Sequence, residues 1–85
     1  MATDILYLAW VREKIGTGAE TLDLPAGMAT VADLVAWLAG RSAGHAEAFA
    51  EPARLRAAID QVFVALDAPL GRPTEIAIFP PVTGG

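Results

Sequence analysis

Gly84 and Gly85 stand directly behind Phe79-Pro80-Pro81-Val82-Thr83, at the end of the chain. A terminal carboxylate carried on two residues without Cβ atoms can enter a slot too narrow for any other side chain. A carboxylate at neutral pH is a poor electrophile, so reaction at this end needs an activated form such as an acyl-adenylate. The machinery for activation is not expected within the chain. Gly16-Thr17-Gly18 lacks the spacing and the lysine of a phosphate-binding loop. His45, the single histidine, falls in a polar helical segment where solvation is expected, and no Ser-His-Asp set accompanies it. There is no cysteine, which excludes disulfides, thiolate metal sites and a cysteine nucleophile. No metal site is expected, and any sulfur chemistry must use sulfur supplied from elsewhere. The chain reads as the thing acted upon, with the catalyst in a partner.

The elements before the tail explain how such an end would be presented. Pro80 and Pro81 fix φ twice and favour an extended conformation, so the last strand cannot continue and the tail leaves the domain. Residues 80–85 reach roughly 20 Å when extended, enough to enter another protein's active site. Pro80, Pro81, Val82, Thr83 and Gly84 thus form a stiff base and an unbranched tip behind Gly85.

At 85 residues the chain is expected to form one domain, with no room for a second. Asp4 to Val11 reads as a strand with apolar residues on both faces, Ile5, Tyr7, Ala9 and Val11 on one and Leu6, Leu8 and Trp10 on the other. Gly16-Thr17-Gly18 supplies a turn, and Glu20 to Leu24 alternates as a second strand. Thr30-Val31-Ala32-Asp33 resembles a capping box, with Asp in place of Glu. It opens an amphipathic helix over about 31–39, ended by Gly40 or Gly44. A short second helix is expected in 45–53, stopped near Pro52. Strands follow at Leu55–Ile59 and Val62–Leu66, meeting around Asp60-Gln61, then a loop over 67–74 and a last strand at Glu75–Phe79.

This order predicts an α+β fold, a mixed sheet with one main helix across a single face. Val62, Val64, Leu66, Ile76 and Ile78 are expected to fill the core against that helix. The opposite parity leaves Leu6, Leu8, Trp10, Phe63, Ala65, Ala77 and Phe79 on an uncovered face. Apolar content is 54% against 19% charged residues, so some of the surplus is expected at the surface, as a protein interface with aromatic anchors. The net charge of −4 with six basic residues argues against nucleic acid. No apolar run is long enough to span a membrane and no signal segment is evident, so a soluble cytoplasmic protein is expected.

The chain resembles the ubiquitin-like β-grasp sulfur carriers that form the small subunits of molybdopterin synthases. The residues that carry the resemblance are Leu6-Tyr7-Leu8-Ala9-Trp10-Val11-Arg12-Glu13, Gly16-Thr17, Thr30-Val31, Ala57-Ala58-Ile59 with Gln61, and Asp67 with Pro69-Leu70. The most specific stretch is Glu75 through Phe79-Pro80-Pro81-Val82-Thr83-Gly84-Gly85. The resemblance implies a β-grasp domain over 1–79 and a flexible tail over 80–85. It implies that an E1-like partner uses ATP to adenylate Gly85, that sulfur then replaces the adenylate, and that the carrier binds no cofactor of its own. It further implies that the tail enters the large subunit of a heterotetrameric synthase and donates sulfur to cyclic pyranopterin monophosphate. The family's interface positions carry over onto Leu8, Phe63 and Phe79. Three departures stand out: Asp60 where Asn is common, Arg72-Pro73-Thr74 in place of an acidic glycine turn, and Trp10 where a polar residue is usual. Two other readings stay open: a carrier for thiamine synthesis or tRNA thiolation, and a non-covalent β-grasp interaction module.

Overall fold

A computed structural model describes residues 2–81 of the 85. The elements run β1 (Ala2–Tyr7), α1 (Ala9–Ile15), β2 (Ala19–Asp23), α2 (Val31–Ala39) and α3 (Ala43–Ala48). A 3₁₀ turn (Pro52–Arg54) leads into β3 (Arg56–Ile59), β4 (Val62–Val64) and β5 (Glu75–Phe79). The strands form one sheet in the order β2-β1-β5-β3-β4. β1 and β5 pair in parallel at its centre, and the remaining neighbours are antiparallel.

The N-terminal strand is shorter than the apolar run suggests. It ends at Tyr7, Ala9 takes a left-handed φ of 54°, and the chain enters a helix that the unbroken apolar run does not announce. The run from Ile5 to Val11 hides two elements because helix and strand are equally apolar there. No side-chain cap at Leu8 marks the change. Gly16 closes α1 at φ 94°, and its N–H donates to Arg12 O at 2.8 Å. That left-handed position suits glycine. Gly44 has a different role: a Cβ there would lie 2.5 Å from Lys14 O, so only glycine lets α3 pack this close to the end of α1.

α2 matches its expected bounds, and its capping box is complete. Thr30 Oγ1 accepts from Asp33 N at 3.2 Å, while Asp33 Oδ2 accepts from Thr30 N at 3.0 Å and Ala29 N at 2.9 Å. These bonds hold the Asp33 carboxyl below its ordinary range. Val31, Leu34, Val35 and Leu38 bury the inner face of α2 against Ile5, Tyr7, Ile76 and Ile78 of the central strands. Val11, Phe49, Leu55 and Leu70 close the core.

β3 and β4 meet through Asp60 and Gln61, both at positive φ (47° and 72°), as a two-residue hairpin turn requires. Asp60 Oδ1 accepts from Thr74 N at 3.1 Å and Glu75 N at 2.9 Å, which fixes the entry of the chain into β5. An aspartate serves here because the required atom is an acceptor oxygen. The loop before β5 is also held. Val31 N and Ala32 N, two orphan donors of the first turn of α2, donate to Ala68 O and Leu66 O.

One core assignment fails. Val62 has the expected parity, since it lies opposite Ile59, yet it is 63% exposed. β4 is the edge strand, and Val62 sits at the hairpin end of it. Val64 and Leu66 are half-buried against the core.

Candidate functional site

β5 ends at Phe79, with Pro80 and Pro81 directly after it, both half-buried. Proline lacks the N–H that would continue the ladder, so pairing stops where the tail begins. Val82, Thr83, Gly84 and Gly85 lie outside the described residues. The site that can be built upward from the structure is therefore the root of the tail and the sheet face around it.

Strand register defines that face. Leu6 of β1 lies beside Ala77 of β5, Ala77 lies opposite Ala58 of β3, and Ala58 lies opposite Phe63 of β4. Phe79 lies opposite Arg56, two residues along from Ala77 on the same side. The Phe63 and Phe79 rings sit 5.7 Å apart at a 50° tilt, within the range of favourable aromatic pairs. Phe63 is 79% exposed and Leu8 47%. Leu6 and Phe79 are half-buried. Burying a side chain of this size is worth roughly 1.5–3 kcal/mol, so the face holds unused apolar surface.

Four of the five expected interface residues thus gather on one region of the outer face, from its middle row to the root of the tail. Leu6, Phe63 and Phe79 share the face by register, and Leu8 continues β1 in extended conformation with its N–H donating to Ile78 O at 3.2 Å. Trp10 does not join them. The backbone turn at Ala9 carries it into α1, where it packs against the core under the Arg54 guanidinium, 5.4 Å from the ring centroid. Strand parity stops applying once the strand has ended.

His45 also departs from expectation, being buried. Its Nε2 donates to Glu20 Oε2 at 2.8 Å, a carboxylate that also accepts from Tyr7 Oη at 2.6 Å. Arg41 Nη2 lies 3.8 Å from the other oxygen of Glu20. Ser42 Oγ caps α3 by accepting from His45 N at 3.1 Å and lies 2.6 Å from His45 Nδ1. Burial alone would raise the Glu20 carboxyl. The hydrogen bonds from Tyr7 and His45, with the charges of His45 and Arg41, outweigh it and hold the group below its ordinary range. Burial, and then the bond to Glu20, push the Tyr7 phenol up, so it stays neutral.

Ser42, His45 and Glu20 are in line, but the serine oxygen is engaged as a helix cap and the ring is 6% exposed. The cluster ties β1, β2 and α3 together. Ser-x-x-His at a helix start is its only local signal, and nothing in the spacing links it to a glutamate 25 residues away.

Among the described residues, no group of three or more His, Cys, Asp or Glu could hold a metal ion, and no helix is long and apolar enough to cross a membrane.

Three comparisons place this geometry. The ThiS family pattern matches residues 5–85. The molybdopterin synthase sulfur carrier subunit of Escherichia coli K12 is 42% identical over 81 residues, covering 95% of this chain and 96% of that one. The putative molybdopterin converting factor subunit 1 of Pyrococcus furiosus superposes with a TM-score of 0.74 at 26% identity, over 96% of this chain and 99% of that one. SAMP1 from Haloferax volcanii has the same fold, with a TM-score of 0.69 at 24% identity over the whole of both chains.

Proposed function

The chain belongs to the ThiS family and has the ubiquitin-like β-grasp fold, and on that premise we propose that it is the sulfur-carrying small subunit of a molybdopterin synthase, loaded at Gly85. The observation that carries this reading is the 42% identity to the sulfur carrier subunit across 95% of the chain. The family match running through residue 85, over the two terminal glycines, supports it.

The chemistry divides between the carrier and its partners. An E1-like enzyme brings ATP; the Gly85 carboxylate attacks the α-phosphorus, pyrophosphate leaves, and an acyl-adenylate forms. A sulfur nucleophile then displaces AMP at the acyl carbon and leaves a thiocarboxylate. The carrier docks on the synthase large subunit, the tail enters its active site, and the terminal sulfur attacks cyclic pyranopterin monophosphate. Water then cleaves the acyl–sulfur bond, which leaves the sulfur on the pterin and returns Gly85 to a carboxylate. Catalytic side chains belong to the large subunit, and the work is done in the cytoplasm. This chain contributes presentation. β5 is gripped on both sides by β1 and β3, so the root of the tail is held by the whole sheet while Gly84 and Gly85 offer no side chain to obstruct entry.

Intact-mass measurement after incubation with the cognate activating enzyme, ATP and a sulfur donor tests the reading. The expected product has gained the mass difference of sulfur for one oxygen, and the loaded carrier restores molybdopterin formation with the large subunit. A thiamine carrier passes the first test and fails the second. Gly84→Val is expected to keep the fold and abolish loading or transfer, because a β-branched side chain does not fit the tail channel. Wild-type transfer by that variant, or by a chain lacking Gly85, would refute the carrier role.

A further inference from the structure

The outer sheet face carries charge as well as apolar surface, and the charge is sorted along the strands. At the end remote from the tail, Asp4 of β1 and Glu75 of β5 are direct neighbours in the parallel register. Adjacent strands lie about 4.8 Å apart, and like charges directly opposite each other destabilise a sheet. The ion pairs among the described residues are Lys14–Glu47, Arg41–Glu20 and His45–Glu20, none of which relieves this one. Among the described residues, Asp4 accepts from Thr21 Oγ1 at 2.7 Å, a neutral donor.

At the tail end, Arg56 stands opposite Phe79. Its Nη1 donates to Leu55 O at 2.8 Å and Ala53 O at 3.2 Å, both neutral carbonyls, and none of those ion pairs engages it. Between the two poles lie Leu6, Ala77, Ala58 and Phe63. Glu75 to Phe79 spans four residues, roughly 13 Å. That exceeds the Debye length of about 10 Å at 0.1 M salt, so neither pole neutralises the other. The outer face thus carries a carboxylate pair at one end and a guanidinium at the other, neither in an ion pair among the described residues, a charge pattern complementary to a second surface of opposite polarity.

We propose that this gradient orients docking: the large subunit meets the carrier with a basic side chain over Asp4 and Glu75 and a carboxylate facing Arg56. Apolar contact supplies adhesion, but it is non-directional. A carrier rotated on its apolar patch would send its tail away from the active site. The two poles penalise the rotated arrangement, because each would then face its own sign. The inference rests on the sulfur-carrier reading for the identity of the partner and adds which residues set the docking register.

The test is a charge swap, Asp4→Lys with Arg56→Glu, whose changes of +2 and −2 cancel and leave the net charge at −4. Affinity for the purified large subunit is measured by calorimetry at low and high salt, alongside loading by the activating enzyme followed by mass. The wild type is expected to bind with an affinity that falls as salt rises. The swapped variant is expected to lose about a hundredfold at low salt, with the gap narrowing at high salt. Glu75→Gln provides a milder second arm. Relief of the carboxylate pair is expected to raise its melting temperature while its affinity falls severalfold, a split that a misfolded variant cannot produce. Swapped and wild-type chains binding within twofold of each other would overturn the gradient and leave the carrier reading intact. A wild-type chain that neither loads sulfur nor binds the large subunit would overturn both.

Discussion

Ile76 and Ile78 are wholly buried, while Ala77 and Phe79, each one residue along the same strand, are only half-covered. Both faces of the sheet are built from similar apolar residues, and only the inner one has α2 and its neighbours against it. One face is spent on folding this chain, and the other is left uncovered, where the docking proposed above would use it.

Substitutions on the two faces should therefore separate stability from binding. Ile78→Ala, on the inner face, is expected to cost about 2–5 kcal/mol of folding stability in urea titrations, through lost transfer energy and a cavity between sheet and helix. A loss under about 1 kcal/mol would show that the inner face is not the core. Phe79→Ala, on the outer face, is expected to weaken large-subunit binding by about 2 kcal/mol, roughly thirtyfold in Kd, with a smaller change in stability. An unchanged Kd would remove the outer face from the interface.

Ala9→Gly examines the point where the two-faced strand gives way to α1. A left-handed φ of 54° suits glycine, so the variant is expected to gain up to about 1 kcal/mol unless chain entropy offsets it, read from the urea midpoint. The smallest expected effect concerns pH. The Glu20 carboxyl lies below its ordinary range in the folded state, so its contribution is complete above the unfolded value of about 4.3 and disappears as pH falls through the folded value. Asp33 acts with the same sign. Glu20→Gln is expected to flatten the fall in urea midpoint between pH 6 and pH 3, and an acid limb identical to wild type would assign it to other carboxylates.

Where an element carried its own punctuation, it could be read from the residues. α2 was legible to the residue because Thr30 and Asp33 form a reciprocal cap and Gly40 follows. β5 was legible because Pro80 and Pro81 end it. Strand parity separated the faces correctly at Ile5, Tyr7, Ile76 and Ile78, and again at Leu6, Phe63 and Phe79. It failed at Trp10, where a helix begins inside an unbroken apolar run without a polar cap. It also misjudged Val62, because parity says which face a residue is on and nothing about how far that face is covered. His45 was misread for another reason. Its partners, Glu20 and Tyr7, come from strands far away in the chain, and only the fold brings them together. The tail reading rests on its motif, and Val82 to Gly85 lie outside the described residues.

β5, which leads into the tail, occupies the middle of the sheet and pairs with β1 across a separation of 71 residues, from Asp4 to Glu75. A nascent polypeptide emerging from the ribosome cannot close this domain until its final strand has been made. Without that strand the sheet would be split, leaving β1 and β2 with no link to β3 and β4. Prematurely terminated products would be left as open, protease-sensitive chains, so only molecules that carry the complete last strand are folded.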